Sequence, residues 1–370
     1  MTGMDPDRRT AFARHMLSTL TGGALTLLVS VGHRTGLFEA ATRGPATSAG
    51  LAQRAGLQER YVREWLGAMV TGGFFSYDPA TAEYTLPPEQ AGFLTGDAAA
   101  NIAPMASMLR AFAAALPDLE ECFVAGGGVP HQAFGPHLAA VGARQGDTWR
   151  RIYDEHLVDG FLGAVPGLPA RLAEGVRVLD LGCGSGHAVA VAARAFPASR
   201  FLGVDIDAGL VTAAHAEAAQ LGLGNAAFAV ADAAALPPHP RFDVITAFDA
   251  VHDQRSPQEV LRRARAALAP DGVFVMVDGF FSSHLEQNAG NPLAPLCYAI
   301  SLMYCTTVSL AEGGAGLGAM WGTEMARQML ADAGFGQVEI IASPRPQNCI
   351  YACRAGPAGA NSANPAGSRR

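Results

Sequence analysis

No part of this 370-residue chain gathers a dense Lys/Arg run, and the formal net charge is -7. Neutralising nucleic-acid phosphates requires such a run, so a small-molecule partner is favoured over nucleic acid. The six Cys residues, at 122, 183, 297, 305, 349 and 353, include no C-x-x-C pair and no paired spacing suited to zinc. They point to a reduced, cytosolic chain with no metal. Long apolar runs are also scarce. Residues 16–32 are uncharged but hold three glycines, fall short of the roughly 20 apolar residues of a membrane span and lack a cleavage pattern. That stretch reads as a buried helix. A second uncharged run, 287–311, is broken by Pro292 and Pro295 and carries Asn, Ser, Thr and Tyr, which suits a pocket wall better than lipid. No membrane partner is expected.

What is present is apolar content, 49% of the chain, enough for two domains. Residues 1–15 read as a flexible start, 16–150 as a mostly helical domain and 151–354 as an α/β domain. The tail 355–370, rich in Gly, Ala, Ser, Asn and Pro, cannot bury a core and reads as disordered. Within the first domain Val62, Trp65, Leu66, Met69 and Val70 recur at helical spacing, and Gly72-Gly73 ends that helix. Two strand-like runs, 74–77 and 84–86, flank the turn signal Asp78-Pro79. Helix, turn, helix and hairpin make a winged helix. Such a module can read DNA through its second helix. Here Arg54, Arg60 and Arg63 face Glu59, Glu64, Asp78, Glu83 and Glu89, an acidic balance that repels phosphates. Dimerisation and covering of the substrate are the favoured roles.

Beyond residue 176, short apolar runs alternate with helical stretches. Residues 176–181, 201–205, 226–230, 242–247 and 272–278 read as strands of a doubly wound parallel sheet, whose ligand sits beyond the strands' carboxyl ends. After the first strand comes Asp180-Leu-Gly182-Cys183-Gly184-Ser-Gly186 and a helix from His187 to Phe196. Glycine is needed where the chain turns sharply and its backbone approaches a cofactor. The dinucleotide pattern G-x-G-x-x-G fails, because its third glycine would fall at His187 or Val189. Asp205, ending the next strand, stands where an acid accepts hydrogen bonds from ribose hydroxyls. An adenosine-type ligand without a bound pyrophosphate follows.

These residues resemble the class I S-adenosylmethionine-dependent methyltransferases, whose first motif is acid-x-G-x-G-x-G. The resemblance implies a seven-stranded Rossmann-like sheet, closed by a helix at 323–333 and strands at 338–342 and 349–353, the last antiparallel. It implies that Asp180, Gly182, Cys183, Gly184 and Gly186 hold the methionyl part and Asp205 the ribose. Ile206 would pack on the adenine face, Asp232-Ala233 would meet the adenine amino group, and Phe248-Asp249 and Tyr153 would line the same pocket. S-adenosylhomocysteine would be the product. With the winged domain in front, the layout is similar to bacterial and plant small-molecule O-methyltransferases and uncharacterised bacterial relatives, which implies a homodimer.

In that group a His-Asp pair supplies the base, and His252-Asp253 in FDAVHDQRSP reproduces it, with Gln254 in place of the usual Trp. An imidazole titrating near neutrality suits removal of a hydroxyl proton. The acceptor is expected to meet an insertion at 280–321, through Tyr298, Ser301, Tyr304, Cys305 and Glu312, and His156 from upstream of the first strand. Tyr298, Ser301 and Cys305 fall at i, i+3 and i+7, one helical face. Uncharged residues dominate there, which predicts a largely apolar acceptor. Oxygen is preferred over nitrogen, sulfur or carbon because of His252 alone. Two other readings keep the cofactor: an enzyme using its positive charge for non-methylating chemistry, and a winged regulator that senses it.

Overall fold

A computed structural model describes residues 5–134, 145–239 and 241–356. The expected disordered tail, from 357 onward, lies outside the described residues. The chain divides into two units, Met1–Ala114 with Phe134–Arg151, and Ala115–Ala133 with Ile152–Arg370. The expected boundary at 150 is close to the observed one, except that residues 115–133 belong with the second unit.

The first unit opens with a helix, Pro6–Thr35, that begins inside the stretch expected to be flexible. Asp5 starts it by accepting from the Asp7 and Arg8 amides, and Gly36 ends it at φ 74°. The expectation that residues 16–32 are buried is wrong for this chain. Val29, Ser30 and Gly32 are buried, whereas Met16, Leu17, Leu20, Leu27 and Val31 are exposed. An apolar run shows that a face wants covering, not that its own chain covers it. Helices Ser48–Ala55 and Glu59–Thr71 follow, and Val62, Trp65, Leu66 and Met69 point inward as their spacing predicts. Trp65 packs edge-on against Phe38 and Phe75, and its indole Nε1 donates to the Leu28 carbonyl at 2.9 Å. The wing is the antiparallel pair β1, Ser76–Asp78, and β2, Glu83–Thr85.

The second unit holds a seven-stranded sheet: β3 Arg177–Leu181, β4 Arg200–Asp205, β5 Ala226–Val230, β6 Phe242–Phe248, β7 Leu268–Gly279, β8 Gln337–Ala342 and β9 Asn348–Arg354. Their order is β5-β4-β3-β6-β7-β9-β8. The first five run parallel, and β9 is antiparallel to both β7 and β8. Central strands are buried on both faces, so they read as continuous apolar runs rather than alternating ones. Leu179, Ile245, Phe274 and Met276 are completely buried, each contributing about 1.5–3 kcal/mol. The order reverses between β3 and β6, and the crevice at that switch point is where the sheet accepts a ligand. Helix His187–Ala195 starts there. Removing Phe274, which stacks on Phe335 at 5.5 Å, should cost about 3–5 kcal/mol as Phe274→Ala in denaturant unfolding. A loss under 1 kcal/mol would mean that the sheet's centre is not where stability resides.

Candidate cofactor and acceptor site

At the end of β3 the chain turns through Gly182, Gly184 and Gly186, all at positive φ. Two of these show why a side chain is excluded. A Cβ on Gly186 would lie 2.5 Å from the Ala214 Cβ and against the Phe228 ring, so helix and strand could not close. Gly184, at φ 54°, faces open space, and its amide donates to Asp205 Oδ2 at 2.8 Å. Asp205 Oδ1 accepts from the Asp207 amide at 3.0 Å. One carboxylate at the end of β4 therefore pins both the glycine loop and the turn after it. Ile206, next to it, is 70% exposed, an apolar surface with no cover from its own chain. Asp232 Oδ1 accepts from the Ala234 amide at 2.8 Å and caps a single turn, while Ala233 is buried. This open glycine cradle, flanked by acids at successive strand ends and an exposed apolar platform, fits an adenosyl and methionyl ligand.

Asp180 lies beneath the loop, buried, and accepts from Thr246 Oγ1 at 2.6 Å. Burial pushes its carboxyl up to about 7 despite that hydrogen bond, and the charge of Asp205 adds to the rise. The folded chain therefore holds a proton there that the unfolded chain, at the usual value of 3.8, has lost. Between about pH 4 and pH 7 that group makes folding less favourable as pH rises. Asp180→Asn keeps the acceptor for Thr246 and removes the charge. Without ligand, that variant should be more stable than the parent at pH 8, by at most about 3–4 kcal/mol, and equal to it near pH 4. Denaturant unfolding at the two pH values checks this, and a variant that is less stable at pH 8 would contradict it.

Tyr153, on the helix Gln145–His156, stands edge-on to Phe248 with ring centroids 5.5 Å apart. Burial, then Asp180 and Asp249, hold its phenol well above the usual value, so it stays neutral. Asp249 ends β6 at φ 54°, a conformation unusual for a residue with a side chain and one that collects at functional turns. Burial drives its carboxyl up to about 6, against the opposing charge of His252. The structure thus brings Asp180, the loop, Asp205, Phe248, Asp249 and Tyr153 to one end of the sheet.

His252 follows in the turn after β6 and is 1% exposed. Its Nδ1 is 2.8 Å from Asp278 Oδ1, and its Nε2 is 3.3 Å from Asp253 Oδ1. Asp278 sits at the end of β7, where the Trp321 Nε1 and the Gly279 amide also donate to it, at 3.0 and 2.7 Å. Burial alone would lower the imidazole's pKa, but Asp278 and then Asp253 raise it by more, so it lies well above the usual value. The resting ring carries a proton. Cys305 reaches the same pair, and burial pushes its thiol up to about 12. Tyr304, beside it, shares a hydrogen bond with His131 Nδ1 at 2.9 Å.

The other expected acceptor contacts lie apart from His252. Tyr298 accepts from Asn288 Nδ2 at 3.1 Å, and Ser301 pairs with Thr306 at 3.3 Å. Glu312 is exposed beyond its helix, and His156 lies 3.6 Å from Glu155. The single face expected for Tyr298, Ser301 and Cys305 is interrupted, because Ser301–Thr306 winds as a π-helix with a wider turn. Asp278 and His131 were missed by sequence reasoning. Asp278 carried a usable signal, a lone acid ending an apolar strand beside the switch point; His131 carried none.

Fold, strand order and glycine loop define a class I methyltransferase. Residues 172–334 match the family model described as a methyltransferase domain, and residues 23–96 match the Rv2258c-like winged HTH domain. The chain is an S-adenosylmethionine-dependent methyltransferase with an N-terminal winged domain. Trans-aconitate 2-methyltransferase of Variovorax paradoxus (strain S110) is 31% identical over 131 residues, 35% of this chain and 47% of that relative. The chain thus matches about half the length of that relative. Among solved structures, the mitomycin 7-O-methyltransferase superposes with TM-score 0.68 at 18% identity, covering 95% of this chain and 99% of that one. Human N-acetylserotonin methyltransferase in complex with S-adenosylmethionine gives TM-score 0.67 at 17% identity, covering 96% and 99%. Those two likenesses concern the fold.

Proposed function

We propose that the chain methylates oxygen on a small, largely apolar molecule, with the His252–Asp253 pair receiving the acceptor's proton. The observation that carries this reading is the buried histidine locked by Asp278 at the end of β6 with Nε2 turned to Asp253. Bound S-adenosylmethionine supplies the methyl group and the positive charge that draws the acceptor oxygen. The chain's own residues bind, orient and move a proton. Asp205 and the glycine loop seat the ribose side, and Asp180, Tyr153 and Asp249 enclose the methionyl side. Asp278 fixes the imidazole ring. Because the resting ring is already protonated, the group that meets a hydroxyl is Asp253, whose side chain is 33% exposed, and His252 stabilises the charge beside it. The names of the relatives support the acceptor class, since mitomycin, N-acetylserotonin and trans-aconitate are all small molecules. The test is incubation with methyl-labelled cofactor and a panel of phenols, amines and thiols. Label on phenolic oxygen with stoichiometric S-adenosylhomocysteine supports the reading; label on nitrogen or sulfur alone refutes it.

The long N-terminal helix supports a homodimer. Phe12, Met16, Leu20, Leu27 and Val31 recur along one side of it and are all exposed. Beside it runs an apolar groove of about 320 Å³, lined by Leu25, Val29, Phe74, Leu94, Met105 and Leu109. This helix and the stretch Ala294–Ala311 are long and apolar enough to cross a membrane by length and composition. Interrupting glycines and the neighbouring groove favour a second copy of the chain. Leu17→Glu with Leu20→Glu should convert a dimer to a monomer in light scattering after gel filtration. A parent chain that is already monomeric at micromolar concentration would end this reading.

A further inference from the structure

The arrangement around His252 is more than an acid-base pair requires. His252 Nε2, Asp253 Oδ1 and Cys305 Sγ all lie within 4.8 Å of one another. The separation of Nε2 from Asp253 Oδ1, 3.3 Å, is longer than a charge-assisted hydrogen bond, about 2.7–2.9 Å. It matches the edge of a tetrahedron whose centre lies about 2.0–2.1 Å from nitrogen and oxygen, the bond lengths of zinc. Asp253 Oδ1 is buried and has no hydrogen-bond partner among the described residues. A buried carboxylate oxygen without a donor costs free energy unless something positive meets it.

Two further features fit the same centre. Nδ1 of His252 faces Asp278, so Nε2 is the atom left to ligate, and a carboxylate behind a ligating imidazole is the usual means of orienting it. Asp278 is itself held by Trp321 and Gly279. Cys305 comes from the π-helical turn Ser301–Thr306, a distortion that re-aims side chains and gathers at functional sites. Thiolate, imidazole and carboxylate together suit a borderline-soft divalent cation rather than magnesium or calcium, which take oxygen alone. The second grouping, Asp249, His252 and Asp278, would need Nδ1, which is already engaged.

We propose that His252, Asp253 and Cys305 form a three-ligand site for a zinc-type cation, leaving a fourth position for a solvent or acceptor atom. Nothing in the spacing of the cysteines foretold it, because the three ligands come from the turn after β6 and a helix some fifty residues on. Nε2 cannot hold a proton and a metal ion at once, so methyl transfer is measured on chelator-treated protein. Metal binding is read without turnover, and the two readings therefore fail separately.

The test uses the full chain, freed of metal by chelator and then given Co²⁺ or Zn²⁺ alone. Cobalt should bind at one equivalent with tetrahedral visible bands and a near-ultraviolet thiolate charge-transfer band. Cys305→Ser should remove the charge-transfer band. Asp253→Asn should weaken zinc by about a hundredfold, and Asp278→Asn by about 10–100-fold. Each variant must still bind S-adenosylmethionine, which shows that it is folded. Absence of stoichiometric binding by the parent chain overturns the site. So does a cobalt spectrum unchanged in Cys305→Ser.

Discussion

Asp205→Ala is expected to abolish S-adenosylmethionine binding measurable by titration calorimetry. The carboxylate has two tasks, to hold the Gly184 and Asp207 amides and to offer its remaining lone pairs to the ribose hydroxyls. Each hydrogen bond to a charged group is worth about 1.5–3 kcal/mol. Losing two weakens affinity by at least about a hundredfold, before any loosening of the glycine loop is counted. The residue lies at the end of an edge-ward strand and is only half-buried, so the sheet should fold without it. An unchanged dissociation constant would remove Asp205, and with it the whole placement of the ribose, from the site.

His252→Ala should lower the methyl-transfer rate by about a hundredfold or more and leave cofactor affinity intact. A near-normal rate would sink the proposed role. The same change should destabilise the chain. Asp278 Oδ2 already has no partner among the described residues, and removing the imidazolium leaves two buried acids unneutralised, a loss of about 3–5 kcal/mol. The sign with pH follows from the raised folded pKa of His252. Its stabilisation is complete below the unfolded value of about 6.5 and is lost as pH rises through the folded value. The gap between parent and variant in denaturant unfolding should be widest near pH 6 and narrow in alkaline solution. A gap that widened with pH would mean that the ring is neutral in the folded chain.

The cofactor half was legible because its information is local. Asp180, the three glycines and Asp205 lie within one strand-turn-helix-strand unit, and each position is dictated by backbone geometry or by the end of a strand. The acceptor half was not, because its partners meet only through the fold. Asp278 reaches His252 because β7 lies beside β6, and Cys305 reaches it through a turn whose winding no i+3 or i+7 count anticipates. The misreading of residues 16–32 has a different origin. Apolar content was taken for burial, whereas Leu17 and Leu20 are each 66% exposed in this chain. A sequence records that a surface avoids water and is silent on which molecule shields it.

The π-helical turn Ser301–Thr306 holds one residue more than an α-helical path of the same rise would need. Gly318 closes against it so tightly that a Cβ there would stand 2.3 Å from both Ser301 Oγ and Thr306 Oγ1. Deleting one residue from the turn would restore ordinary winding and rotate everything after it by about 100°. Cys305 would swing off the His252–Asp253 pair and another side chain would take its place, while the sheet and cofactor cradle stayed as they are. Selectivity in such a frame can change by whole steps of the helix, through a single codon gained or lost, rather than by gradual reshaping of a pocket.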